Sequence, residues 1–286
     1  MRLPAPLSRN NPFVHKNDFG HVLIIAGSAQ MIGAGALTAL SAMRSGAGLV
    51  TLGVAKSLNL VAHKKISNVV MTLPLAETKN QTISIRAFKK IQDFSKRCDA
   101  VALGPGMSTD PLTRQCVLKI ISKLSKPLVI DADGLNCLEG KLNILTKTNS
   151  LKILTPHPGE MARLLKVKRN FIESHRTKVA LDFAKKYRCV LLLKGYKTVV
   201  ASHNGETYVN QTGNAGVATA GSGDVLTGII AAFIAQGLSS FEAARWGAYI
   251  HGRAGDLAAF NKTKISLIAA DIIDHLPDAF KSLKVH

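Results

Sequence analysis

Residues 213–228 read G-N-A-G-V-A-T-A-G-S-G-D-V-L-T-G, and an almost unbroken apolar run, Val225 to Ile234, overlaps their end. Five glycines (Gly213, Gly216, Gly221, Gly223, Gly228) crowd the stretch, whose only acid is Asp224. The apolar run reads as a buried helix, with Gly221-Ser222-Gly223-Asp224 as its first turn. Glycine lifts the steric bar on positive φ and lets a ligand lie close against the backbone. Unpaired N–H groups and the positive dipole end at a helix start form an anion site. The amides of Ala220, Gly221, Ser222 and Gly223 are therefore a candidate anion hole. An acid is out of place there unless it acts on the group beside a phosphate, which makes Asp224 the candidate catalytic residue. The helix start is expected to lower its pKa, leaving an ionised but weak base. A simple helix-capping Asp is the other reading.

Working outward, the chain repeats one pattern: a short apolar strand, a glycine or polar loop, then a helix. Val22 to Ala26 is the first continuous apolar run, typical of a parallel strand buried on both faces. Gly27-Ser28 and Gly33-Ala34-Gly35-Ala36 follow, then an alanine-rich helix through Arg44. Neither the spacing of a dinucleotide-binding fingerprint nor that of a P-loop is met. Further strands are expected at Leu49 to Val54, Ala100 to Leu103, Leu128 to Ile130, Lys152 to Leu154 and Val190 to Leu193. Helices fit 83–96, 112–124, 178–187, 224–236, 241–260 and 267–280, and a hairpin fits 198–202 with 207–210. The alternation predicts an α/β fold with a mostly parallel central sheet flanked by helices on both faces. No linker or composition break divides residues 1–286, which read as one domain with a surface lead-in over 1–20. Polar residues repeatedly follow strand ends, where open α/β sheets bind ligands.

The 286 residues are 47% hydrophobic, as expected of a globular chain with a large core. The apolar runs are too short to span a bilayer, and the N-terminus has no signal-peptide core, so the expectation is a cytoplasmic protein. Cys98, Cys116, Cys137 and Cys189 lie far apart without ligand spacing, which predicts reduced thiols and no protein-held metal site. The net charge of +19 favours capture of phosphorylated small molecules. Its lysines are scattered rather than gathered with aromatics into a nucleic-acid motif, so no specific nucleic acid is expected.

Six stretches occur in a telling order: residues 20–53, G-P-G at 104–106, D-A-D-G-L-N at 131–136, T-P-H-P-G-E at 155–160, L-K-G at 193–195, and the glycine stretch. Together they resemble the ADP- or ATP-dependent NAD(P)H-hydrate dehydratases, repair enzymes of ribokinase-like fold, over about Gly20 to Leu276. The resemblance implies dehydration of hydrated NADH or NADPH (the S-epimer). The ring hydroxyl is phosphorylated by ADP or ATP, after which phosphate leaves. Hydroxide is a poor leaving group and phosphate a good one, so a kinase-like site suits a dehydration.

By that resemblance Ala42, Gly106, His157 and Asp224 contact the hydrated cofactor. Lys194, Gly195, Tyr196, Lys197, Thr198 and Gly223 contact the nucleotide. Packing alone also explains Ala42, a tight turn Gly106, and a solvated lysine Lys197. Asp131, Asp133 and Asn136 either hold water on a nucleotide-bound Mg²⁺ or hydrogen-bond neighbouring loops. Relatives imply a homotetramer and a functional partner, an NAD(P)H-hydrate epimerase, expected here as a separate protein. Two alternatives remain: a ribokinase-like kinase of a vitamin precursor or sugar, and a basic nucleic-acid-binding protein that kept the fold.

Overall fold

Continuous apolar runs become the inner strands of one sheet. The computed structural model describes residues 2–66 and 68–283. Its strands are β1 (His21–Ile25), β2 (Leu49–Ala55), β3 (Met71–Leu75), β4 (Ala100–Leu103), β5 (Leu128–Ile130), β6 (Lys152–Leu154), β7 (Val190–Leu193), β8 (Val199–Ser202) and β9 (Thr207–Val209). They lie in the order β3-β2-β1-β4-β5-β6-β7-β8-β9. Pairing is parallel from β3 across to β7, and antiparallel for β7–β8 and for the hairpin β8–β9.

The helices are α1 (Ile32–Arg44), α2 (Asn59–Lys65), α3 (Phe88–Ser95), α4 (Pro111–Lys123), α5 (Asp133–Asn136), α6 (Pro158–Leu165), α7 (Arg169–Ser174), α8 (Arg176–Tyr187), α9 (Ser222–Ala235), α10 (Ser240–Asn261), α11 (Ala269–Asp274) and α12 (Leu276–Lys281). Side chains alternate faces along a strand. Val22 and Ile24 of β1 therefore join a core with α1, α2 and α9 to α12, while Leu23 and Ile25 join a second core with α3 to α8. Covered on both faces, β1 needs apolar residues at every inner position, which is why its run is unbroken.

α9 packs hard against α1. A Cβ at Gly228 would fall 2.0 Å from Ser41 Oγ and 2.2 Å from the Thr38 carbonyl oxygen, so only glycine lets the two backbones meet. The chain runs outward from β1 to β2 and β3, then returns to place β4 on the other side of β1. This strand-order reversal puts a crevice at the carboxyl ends of β1 and β4. The loops after β1, β4, β5, β6 and β7 all open on that one edge.

β3 and the short helices α2, α5 and α7 were not anticipated, and one expected helix is broken. β3 contains Pro74, which removes a ladder donor and is tolerated here because β3 is the sheet's edge. α2 is too short for a periodic signal. The helix expected over 267–280 is split at His275, with Pro277 in the first turn of α12, where a missing N–H costs nothing. The lead-in is largely exposed. It is held by Arg9, which donates to the Gly46 carbonyl at 2.7 Å and lies 3.9 Å over the Phe19 ring.

Candidate active site

The glycine stretch forms the turn its composition requires. Gly221 is the N-cap of α9 at φ 84°, left-handed, and a Cβ there would also fall 2.5 Å from Leu37 Cδ1. The amides of Ala220, Gly221 and Gly223 find no acceptor among the described residues. Ser222 differs from them: its N–H donates to the Thr219 carbonyl at 3.2 Å. Its hydroxyl lies 3.1 Å from Nε2 of His251, which also sits 3.0 Å from the Ser222 carbonyl. Burial pushes His251 down to about 4. A neutral imidazole thus pins the turn from behind.

Beneath the turn lies a cluster that local sequence could not reveal. Asp131, at the end of β5, accepts from Lys194 Nζ at 2.7 Å through Oδ1 and from Thr227 Oγ1 of α9 at 2.9 Å through Oδ2. Lys194 is also 3.7 Å from Glu160 Oε2. Burial alone would pull the Lys194 ammonium down, but Asp131 and Glu160 more than offset this and hold it above its ordinary value. A Cβ on Gly223 would sit 3.2 Å from Lys194 Nζ, so the lysine lies directly under the turn.

These neighbours reverse the expectation for Asp224. Burial first, then repulsion from Asp131, push its carboxyl up to about 7, with Lys194 acting the other way and Asp133 and Glu160 adding to the rise. Desolvation next to other carboxylates outweighs the helix start, so Asp224 is a better base than its position alone suggested.

His157, at the end of the loop after β6, is the N-cap of α6. Its Nδ1 accepts from the amides of Gly159 (3.0 Å) and Glu160 (3.2 Å), while the Glu160 carboxylate accepts from the His157 amide at 2.7 Å. This is a reciprocal capping box built on histidine. Two donors on Nδ1 place the neutral ring's proton on Nε2. That N–H lies 3.6 Å from Glu160 Oε1, beyond a normal hydrogen bond, and the side chain is half exposed. Burial lowers the pKa of His157, Glu160 raises it and Lys194 lowers it, for a net fall. Asp131, Glu160 and Lys194 thus influence both His157 and Asp224, which draws the two into one electrostatic neighbourhood.

A family model described as NAD(P)H-hydrate dehydratase matches residues 22–278 of this chain. The chain belongs to the NAD(P)H-hydrate dehydratase family. It is 42% identical over 280 residues to the bifunctional NAD(P)H-hydrate repair enzyme Nnr of Moorella thermoacetica, covering 98% of this chain and 53% of that protein. Against the ADP-dependent (S)-NAD(P)H-hydrate dehydratase of Neisseria meningitidis serogroup B, identity is 37% over 267 residues, or 90% of this chain and 83% of that one. The ADP/ATP-dependent NAD(P)H-hydrate dehydratase of Bacillus subtilis, co-crystallised with ATP/Mg²⁺, superposes with a TM-score of 0.82 at 28% identity. That superposition covers 96% of this chain and 93% of the other. The chain spans about half the length of the bifunctional relatives it matches. Membership of the dehydratase family brings with it the ribokinase-like fold expected from the motifs.

Not every position the dehydratase resemblance singled out reaches the cleft. Ala42 has no exposed surface and lies in the core that α1 shares with α9; as placed here it is a packing residue. Gly106 (φ 61°) is buried under the turn that opens α1, where a Cβ would sit 2.8 Å from the Met31 carbonyl oxygen. The Lys194 ammonium points inward to Asp131 rather than out along the segment that follows it. Tyr196 and Lys197 are exposed, and Thr198 Oγ1 donates to the Gly195 carbonyl at 2.9 Å.

Asp133 and Asn136 hydrogen-bond within and between loops. Asp133 Oδ2 accepts from the Ser108 amide at 2.8 Å, and its Oδ1 accepts from Asn136 Nδ2 at 3.1 Å. Among the described residues no group of three or more His, Cys, Asp or Glu is arranged to hold a metal ion, and no helix is long and apolar enough to cross a membrane. The four cysteines are free and buried, and burial pushes each thiol up to about 12, which makes them poor nucleophiles. Glu160 was missed, although an acid three residues after a cap is a local signal that could have found it. Lys194 with Asp131, and His251 with Ser222, left no local trace.

Proposed function

We propose that this chain restores NADH or NADPH from the (S)-hydrate, with ADP cleaved to AMP and phosphate, or ATP to ADP and phosphate. One observation carries the reading: a partly buried carboxylate of pKa about 7, Asp224, shares a helical turn with the unpaired amides of Ala220, Gly221 and Gly223. A base and a phosphate cradle are held together. The relatives' names supply the substrate and the preference for ADP.

The ring hydroxyl of the hydrate sits against Asp224. As its oxygen bonds to the terminal phosphorus, Asp224 takes the proton, and the bridging P–O bond breaks with its electrons on the departing nucleotide. The free amides meet the equatorial oxygens, where charge is concentrated. Phosphate then leaves the ring with the C–O electron pair, and loss of a ring proton restores the double bond. A base whose pKa is near the working pH suits the first step. His157, with its proton held on Nε2, acts as a hydrogen-bond donor to substrate oxygens and not as the base.

The acids around Asp224 outnumber Lys194, so a bare nucleotide phosphate would be repelled. Mg²⁺ fits as a companion of the nucleotide, and the acid-rich surroundings of Asp224 would suit the waters it carries. When bound it neutralises phosphate charge. An NAD(P)H-hydrate epimerase is the functional partner in this reading, and the cytoplasm is the compartment. Subunit number is open to sedimentation measurements, a homo-oligomer being expected.

The test is to incubate NADH hydrate with Mg²⁺ and either ADP or ATP, using the wild type and Asp224→Asn. Recovery of NADH absorbance by the wild type and its near-complete loss in the variant, with nucleotide binding kept, are expected. Equal turnover by both proteins would remove Asp224 from the chemistry.

A further inference from the structure

The nucleotide segment, residues 194–198, carries two lysines, one already paired with carboxylates and the other in solvent. Lys194 is held by Asp131 and shared with Glu160. Lys197 is exposed, with its Nζ 5.6 Å from the Tyr196 ring. The cation beneath the segment is Arg176, the first residue of α8. Its Nη2 donates to the carbonyls of Leu193 (2.8 Å) and Lys194 (3.1 Å). Carbonyl oxygens fix the plane of a guanidinium without cancelling its charge. Its Nε is buried and has no hydrogen-bond partner, and no carboxylate among the described residues lies within ion-pair distance of it.

Burial of this cation is offset only by the more distant Glu173, and such a cost is relieved when an anion arrives. Gly195 keeps the way open. A Cβ there would sit 3.2 Å from Nη1 and 3.5 Å from Nη2, covering the guanidinium edge that the protein leaves unused. The φ of 126° at Gly195 also resists any side chain.

We propose that Arg176 binds a phosphate oxygen of the nucleotide through Nη1, reaching past Gly195, while Nη2 holds the shape of the segment. This rests on the reading of 194–198 as the nucleotide segment. The planar, permanently charged fork suits both tasks at once, which the rotatable ammonium of lysine does not.

Calorimetric titration of wild type, Arg176→Gln and Arg176→Lys with Mg-ADP and with adenosine tests it, alongside thermal unfolding of each protein. Arg176→Gln is expected to weaken ADP by on the order of tenfold to a hundredfold, the loss of a charge-assisted hydrogen bond, while adenosine changes less than about twofold. Arg176→Lys keeps the charge and recovers part of the ADP affinity. An equal loss for ADP and adenosine, or no loss, overturns the proposal, since a purely structural role moves both ligands together. Should the glutamine variant fail to fold, the lysine variant decides by the same comparison. Wild type that binds ADP without restoring NADH would sink the dehydratase reading and leave Arg176 standing. Arg176→Gln that binds ADP normally would do the reverse.

Discussion

Replacing Asp224 by Asn should stabilise the protein while destroying its activity, and the gain should depend on pH. In the unfolded chain the carboxyl loses its proton near 3.8, and in the native state it holds it to about 7. Between those values the native state binds the extra proton, so wild-type stability falls as pH rises, and the deficit is constant above about 7. The shift from 3.8 to about 7 corresponds to roughly 4 kcal/mol. Asp224 keeps part of its surface in solvent, and screening there reduces the figure to about 2 kcal/mol. Asparagine cannot ionise and escapes the penalty. Urea denaturation of both proteins near pH 4 and again near pH 8.5 measures it, with the variant's advantage expected to grow by about 2 kcal/mol between the two. The same difference at both pH values would show that burial beside Asp131 does not set the state of Asp224.

Turnover should follow the same ionisation, with kcat/KM falling as pH drops through about 7 because the base becomes protonated; a profile flat from about pH 5.5 to 8 contradicts this. Asp131→Ala leaves the Lys194 ammonium with only the longer contact to Glu160 and should cost about 3 kcal/mol, much of it recovered by adding Lys194→Met; denaturation that shows the double variant no better than the single refutes the pairing. His157→Asn keeps a side-chain cap on α6 but loses the Nε2 donor, so melting should barely change while KM for the hydrate rises. A parallel rise in the dissociation constant for ADP would place His157 elsewhere. Chelating Mg²⁺ should abolish turnover and weaken ADP while leaving adenosine binding intact, and persistence of activity counts against the metal's role.

The fold was legible where burial on both faces forces unbroken apolar runs, as in Val22 to Ala26 and Val190 to Leu193. β3 escaped because Pro74 breaks the strand signal and is admissible only at an edge, a fact of the finished sheet. At the site, the turn at 220–224 could be read because glycine spacing is local. The ionisation of Asp224 could not: its sign depends first on burial and then on Asp131, and both arise only through folding. Lys194 and Asp131 stand 63 residues apart in sequence. Ala42 shows the opposite limit. A small residue on an alanine-rich helix suits ligand contact and helix packing equally, and only the close approach of α9 reveals the packing.

The central claim is that the phosphate cradle and Asp224 act in one event that ends in elimination. Its most direct test is the stoichiometry of one reaction, with NADH hydrate, Mg²⁺ and ADP supplied together and AMP, inorganic phosphate and NADH quantified over time. The account predicts one AMP and one free phosphate for each NADH restored. AMP accumulating with a stable phosphorylated product and no NADH would mean that transfer is not followed by elimination, and the site would then be that of a kinase.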